Sequence, residues 1–505
     1  MAPDATQEPL NAPKPRRWFR RRGWQIILLV VVCFAGWITW VIHDANEQHA
    51  LLDKLQRNFN CVVQYDAPNW ARVVTDSTWL SQDIRTWLFE RVRFPVGFEF
   101  EEHENNPIDK ELLSQIAARN WPSLHSIQWD DVPVENGKRL LLPLNCSNLG
   151  FIRLRNCKMT DELVEQVLSK CPKLFAFDLS NESISGRGLQ RLRLLPQLQN
   201  LELRACKLHS LDFLQGVSTL SVLDLSGTTI TDEHLMSIQD CERLDTLRLQ
   251  GTSITGAVFA SLPRYRHLRQ LWLNRTRITD ESMKYLPAFE ELEHLDLSET
   301  NISGRNLFAT GSPPKLKYLI LNKTKVQLHH LVGLKGNASV QEFQVDETPC
   351  TDEGCDVLST MPSLWQISFR NTFVGDKLVH ALRSAQKLSS LGLKNTRITD
   401  ACGASIREMP HLSNVDVENT GIGNRFFEYL IGHPTLTSIS LRKTKADDQA
   451  VPYLLQLPHL VNIHVSPEQF SNDALKRLED RGIIVDTMTD EEAKEFMKYD
   501  GRRRR

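Results

Sequence analysis

The sequence predicts an α/β solenoid: a right-handed coil with a parallel sheet along its concave face and helices along its convex face. Three observations carry this. A leucine pair of the form L-x-L recurs, its second member falling at Leu225, Leu249, Leu273, Leu297, Leu321, Val345, Phe369, Leu393, Val417, Leu441 and Val465, ten consecutive intervals of 24 residues. The beat continues less evenly upstream at Trp129, Leu154, Leu179 and Leu203. Each pair is followed by a turn phrase T-x-I and then by apolar residues at helical spacing, as in Asp280, Met283 and Leu286. A unit this short cannot bury its own apolar face, so copies must stack.

Within each unit the residues play distinct parts. Alternation places both leucines on one face of a strand and the residue between them on the other. Three positions after each pair stands a small polar residue: Thr228, Thr252, Thr276, Thr300, Thr324, Thr348, Thr372, Thr396, Thr420 and Thr444, with Cys157 and Cys206 in the earlier copies and Glu182 as the exception. A buried hydroxyl there can donate and accept, so a structural ladder between neighbouring coils is expected rather than a ligand row. Asp232, Asp280 and Asp400, alternating with Gly256 and Gly304, mark the start of each helix.

The ends differ from the body. Residues 1–23 are Pro-rich and carry Lys14, Arg16, Arg17, Arg20, Arg21 and Arg22; the next 19 residues, Trp24 to Ile42, hold no charge. At 1.5 Å per residue they make a helix of about 28 Å, one hydrocarbon thickness. Trp18, Trp24, Trp37 and Trp40 stand where interfacial aromatics belong. A cleaved signal peptide has a shorter apolar core and a small-residue cleavage site, and Val41–Ala45 offers none. The expectation is an uncleaved single-pass anchor. Basic residues before the span and acidic ones (Asp44, Glu47) after it keep the amino end cytoplasmic and place the repeats beyond the membrane.

Residues 43–120 read as a small α/β cap: an amphipathic helix at Leu51, Leu52, Leu55 and Phe59, β-leaning runs at Cys61–Tyr65 and Phe94–Phe100, and a helix between them from Ser77. The solenoid occupies 121–486, ending in a strand near Arg481–Asp486, and 487–505 form a tail closing on Arg502–Arg505.

The repeat resembles the leucine-rich repeat superfamily from Leu124 to about Asp486. Cys157-Lys-Met-Thr-Asp161 and Cys171-Pro-Lys-Leu174 match the cysteine-containing subtype, from which this chain departs by shorter units and by Thr in place of most Cys. It also resembles bacterial membrane-anchored leucine-rich repeat proteins. The resemblance implies a solenoid that binds macromolecules, chiefly proteins, and is silent on the ligand. The cysteine-containing subtype includes ubiquitin-ligase substrate receptors, but no F-box-like segment precedes these repeats.

Function is expected on the concave column between the leucines, which runs from Gln128 to His464. Trp272 and Ile320 are out of character there, with Asp296 between them and Tyr318 beside Ile320; exposed aromatics on a rigid sheet are interface anchors. Asp178, Glu202 and Asp224 form an acidic run, and Arg370, Lys394 and Arg442 a basic one further along, an asymmetry able to orient a partner. Lys+Arg 60 against Asp+Glu 62 leaves a net charge of -2, so nucleic acid is not an expected partner. No nucleophile elbow, phosphate loop, HExxH or paired CxxC occurs, so no catalysis, cofactor or metal is expected. His329 and His330 lack a third ligand at metal spacing. Cys350 and Cys355 read as small buried apolar residues; a disulfide between Cys146 and Cys171 is consistent with their occupying one slot in adjacent coils. The competing readings are a structural cell-envelope protein and, third, a cytoplasmic substrate adaptor.

Overall fold

The L-x-L phrase becomes a strand because its two faces meet different surroundings. In Gln270–Trp272, Tyr318–Ile320 and Glu342–Gln344 the leading leucine or phenylalanine is buried and its neighbours half-exposed. The second leucine follows the strand and is equally buried, as at Leu273, Leu297 and Leu321. Each fully buried leucine contributes about 1.5–3 kcal/mol relative to exposure. A computed structural model describes residues 43, 47–50, 53, 60–66, 94–101, 124–131, 147–305 apart from 262–264, and 307–487.

Two compact units divide the chain, 1–148 and 149–505. In the first, Asn60–Asp66 pairs antiparallel with Phe94–Glu101, with a register shift between Gln64 and Tyr65. Phe94–Glu101 then pairs in parallel with Ser126–Asp130, the earliest strand of the repeating phrase. Glu47–Ala50 is helical, while Leu51, Leu52, Leu55, Phe59 and the segment from Ser77 lie outside the described residues. So do Trp24–Ile42 and 488–505. Among the described residues no helix is long and apolar enough to cross a membrane.

The second unit is one parallel ladder from Phe151–Arg155 to Ile484–Asp486, each strand pairing with the next copy. The register is strict: Leu271, Leu295, Leu319 and Phe343 are successive partners, and so are Trp272, Asp296, Ile320 and Gln344. The ladder extends past the strands. Leu273 N–H donates to Asp296 O at 2.8 Å and Arg275 N–H to Ser298 O at 2.9 Å, a pattern repeated along the unit. Reaching that second bond requires a left-handed residue two positions after each pair. Asn181, Arg275, Glu299, Lys323, Glu347, Asn371, Asn395 and Asn419 all have φ between 50° and 61°. Gly227 and Gly251 fill the same place. For Arg, Glu and Lys this conformation costs roughly 1–2 kcal/mol, offset by the bonds it makes possible.

The helical side departs from expectation. Some coils carry α-helix, as at Asp161–Lys170, Asp376–Leu382, Asn424–Leu430 and Asn472–Asp480. Others carry 3₁₀ turns, as at Arg187–Leu194, Asp280–Ala288 and Cys355–Thr360. A 24-residue coil leaves few residues for its return path, and the 3₁₀ rise of about 2.0 Å spans it with fewer.

The threonine column bonds differently from the expected inter-coil ladder. Thr228, Thr252, Thr276, Thr300, Thr324, Thr348, Thr372, Thr396, Thr420 and Thr444 each donate to the carbonyl three residues earlier in their own coil, at 2.5–2.7 Å. They close the turn after each strand. Cys157 also stays within its own coil, its Sγ on the carbonyl two residues earlier, Arg155 O, at 3.3 Å, while Cys206 reaches back to Leu179 O in the preceding coil at 2.9 Å. Aspartates link the coils instead. Asp161 accepts from Ser185 N–H, Ser185 Oγ and Gly188 N–H at 3.0, 2.8 and 2.9 Å. Asp280 repeats this on Ser303 and Gly304, and Asp232 on Thr255 and Gly256. Thus each Asp read as starting its own helix caps the helix of the next coil, where Gly or Ser waits. The fit demands glycine at Gly188, where an added Cβ would lie 2.1 Å from Asp161 O.

Candidate functional site

The four residues expected to receive a partner occupy the exposed face of three adjacent strands. Trp272, Asp296 and Ile320 are successive register partners, and Tyr318 stands two residues before Ile320. His294 was not anticipated. It is the register partner of Gln270 and Tyr318, in the second outward-facing column of the sheet. Alternation gives every strand two outward residues, so the same 24-residue step applied to Tyr318 would have found it.

These side chains form a continuous aromatic row. The Trp272 and His294 rings stack with centroids 4.0 Å apart and 29° between planes; His294 and Tyr318 follow at 5.8 Å and 38°. Such contacts add about 0.5–1.5 kcal/mol beyond area burial and hold the rings in fixed poses. Burial pushes the His294 imidazole below its usual value, helped by nearby Arg248 and opposed by Asp296. Burial thus favours the neutral imidazole at His294. Trp272 Nε1, His294 Nε2 and Asn274 Oδ1 are buried without a hydrogen-bond partner among the described residues.

Asp296 is buried, 8% exposed, and its Oδ1 accepts from Ser298 N–H at 2.9 Å and Ser298 Oγ at 2.6 Å. The same D-x-S clasp recurs at Asp178–Ser180 and Asp224–Ser226. It stabilises the turn and belongs to the scaffold.

The charged runs on either side are neutralised internally. Arg155 Nε donates to Asp178 Oδ2 at 2.6 Å. Asp224 pairs with Arg204 at 2.8 Å and Arg248 at 3.9 Å, and Glu202 also pairs with Arg204. Further along, Arg370 holds Asp416 at 3.0 Å, Lys394 holds Glu418 at 2.6 Å, and Arg442 lies 3.4 Å from Glu418 and 2.7 Å from Asp486. His464 meets Asp486 at 2.7 Å. The acidic and basic runs are halves of short-range pairs, so they supply little of the long-range field that would orient a partner. Sequence spacing alone hid this, because the pairs join different columns of different coils.

The His329 and His330 rings meet at a tilt, with centroids 4.1 Å apart and 59° between planes. Among the described residues no group of three His, Cys, Asp or Glu is placed to hold a metal. Cys350 and Cys355 are buried, and burial raises both thiols, Cys350 to about 11. Cys171 is buried; Cys146 lies outside the described residues.

No protein-family profile matches the chain. Solved structures similar to it include a leucine-rich-repeat protein of Leptospira interrogans, at 16% identity and TM-score 0.49, covering 77% of this chain and 88% of the other. An internalin of Listeria monocytogenes is similar at 15% identity and TM-score 0.46, over 65% of this chain and 94% of its own. The ectodomain of an Arabidopsis thaliana membrane receptor kinase is similar at 16% identity and TM-score 0.44, over 75% of this chain and 48% of its own. At these values none bears on what this chain binds. The parallel register, the buried leucine pairs and the 24-residue step identify the body from Leu149 onward as a leucine-rich-repeat solenoid.

Proposed function

We propose that this chain is a non-catalytic binding protein, held at a membrane by Trp24–Ile42, whose exposed sheet face receives a polypeptide partner. The observation that carries the binding reading is the aromatic row. Three rings and Ile320 stand half-exposed on adjacent strands, with Arg248 and Gln344 continuing the Trp272 column on either side. Aromatic anchors fixed before binding lose little conformational entropy on association, which is how hot spots concentrate affinity. The anchor reading rests on the 19 uncharged residues and the basic flank before them. In this layout 1–23 is a cytoplasmic tail, 43–120 a cap, 121–486 the solenoid and 487–505 a tail.

A photo-crosslinking amino acid at position 320 of the full-length chain, in its native envelope, tests this. The reading expects one defined polypeptide adduct from position 320, lost in Trp272→Ala. It expects none from position 194, where Leu194 is 70% exposed on the helical side. Adducts that ignore Trp272, together with defects that scale with the number of repeats deleted, would favour a structural envelope role instead. Protease added outside intact cells separates both from a cytoplasmic adaptor, whose repeats would stay uncut.

A further inference from the structure

Four aspartates of the exposed sheet face, Asp178, Asp224, Asp296 and Asp416, share a device from which Asp296 alone departs. At Asp178 and Asp224, Oδ1 accepts from the serine two residues on, and at Asp416 Oδ1 accepts from Glu418 N–H. In all three the second oxygen meets an arginine of this same chain: Arg155 on Asp178, Arg204 on Asp224, Arg370 on Asp416. Each arginine stands one position after the second apolar residue of its pair: Arg155 after Leu154 and Arg204 after Leu203 in the coil before their aspartate, Arg370 after Phe369 two coils before Asp416. Asp296 has the serine clasp but not the arginine. Its Oδ2 takes no hydrogen bond or ion pair from the described residues, although the residue is more than nine-tenths buried. The position that would supply the cation, one after Leu273, is Asn274, whose own Oδ1 is buried and unpartnered.

A carboxylate that its own chain leaves without a partner cation is open to one supplied from outside. No nearby cation of the chain fills the place here. Burial disfavours the charged form of His294, and Arg248 is turned to Asp224 with Trp272 next to it in register, between it and Asp296. The surroundings favour a guanidinium over an ammonium. Trp272 and Ile320 flank Asp296 on the adjacent strands, with His294 and Tyr318 in the neighbouring column, offering ring faces on which a planar cation stacks. The chain itself uses arginine at all three completed copies.

We propose that Asp296 is the docking point for an arginine side chain supplied by a polypeptide partner, taking the place that an intramolecular arginine fills at Asp178, Asp224 and Asp416. This deepens the binding role proposed above and rests on it. The expected ligand is an extended segment presenting arginine beside an aliphatic residue, the latter against Tyr318 and Ile320.

The test is calorimetric titration of the full-length chain with acetyl-Leu-Arg-Leu-amide and with its counterpart in which uncharged citrulline replaces arginine. The arginine peptide should bind at least about tenfold more tightly than the citrulline one. Asp296→Asn should erase that difference, and so should Asn274→Arg, which places a cation on Asp296 from within the chain. Asp416→Asn should leave it unchanged. Equal binding of the two peptides, or a loss shared by Asp416→Asn, overturns the proposal. A preference that emerges only after Arg502–Arg505 are changed to Ser makes the chain's own tail the occupant and overturns assignment to a partner. Should the adduct from position 320 persist in Asn274→Arg, the arginine inference fails while the binding role stands.

Discussion

Asp178 and Asp296 sit in matching positions of the same repeated phrase, and the difference between them separates scaffold from site. Both are buried, and both clasp a serine two residues on. Around Asp178, Arg155 joins Asp178 and Glu202, so the carboxylates there are held by a cation of the chain itself. Around Asp296 the arginine is replaced by Asn274 and the neighbours are rings. One repeat template thus yields stability where its polar groups are completed internally and a recognition surface where they are not.

The largest effect should come from breaking a completed copy. Asp178→Asn keeps the serine clasp but turns amide protons toward Arg155, whose side chain is about a quarter exposed, and should cost roughly 2–3 kcal/mol. Asp296→Asn, with no arginine to disappoint, should cost less than about 0.5 kcal/mol. Urea denaturation followed by far-ultraviolet dichroism checks both. Equal losses would erase the distinction between the two positions.

Close behind is a pH effect at the same end of the unit. Glu182 takes the place of a column threonine and reaches back to the preceding turn, accepting from Cys157 N–H at 2.5 Å and Met159 N–H at 2.7 Å. Burial pushes its carboxyl up to about 7 from an ordinary 4.5, opposed by backbone donors including Lys158 N–H. A raised value means the folded chain holds the proton more tightly than the unfolded one. The stabilisation is therefore full below pH 4.5 and is lost as pH rises through 7, by on the order of 2–3 kcal/mol. Glu182→Gln should flatten that slope between pH 4.5 and 7. A slope unchanged in the variant would assign it to other groups.

A smaller effect is expected at Thr300→Val, which conserves shape and removes the donor to Leu297 O at 2.7 Å. The cost should be about 1 kcal/mol, the net worth of one buried hydrogen bond. The same substitution at Thr372 should cost the same, because the column is local to each coil. Losses that grow toward the middle of the ladder would mean that the hydroxyls link coils after all.

The strands were legible because burial enforces period two, and the leucine pairs mark it without ambiguity. Trp272 and Ile320 were legible as apolar residues in an outward column. Other features were not, for physical reasons. The left-handed residue after each pair carries no consistent side chain: Arg275, Glu299 and Lys323 hold it as firmly as Gly227. The aspartate caps act one coil ahead, so Asp280 reads as an ordinary helix start until Ser303 is seen beside it. Charge pairing crosses columns, which made Asp178, Glu202 and Asp224 look like an open acidic run. His294 escaped because only one of the two outward columns was followed.

The central claim is that Asn274 and Asp296 are an incomplete copy of the Arg155–Asp178 arrangement. The most direct measurement is a double-mutant cycle on unfolding free energy between Asn274→Arg and Asp296→Asn. If the claim holds, Asn274→Arg stabilises the parent chain by about 1 kcal/mol and does nothing, or harm, in the Asp296→Asn background. The same change in both backgrounds would contradict it.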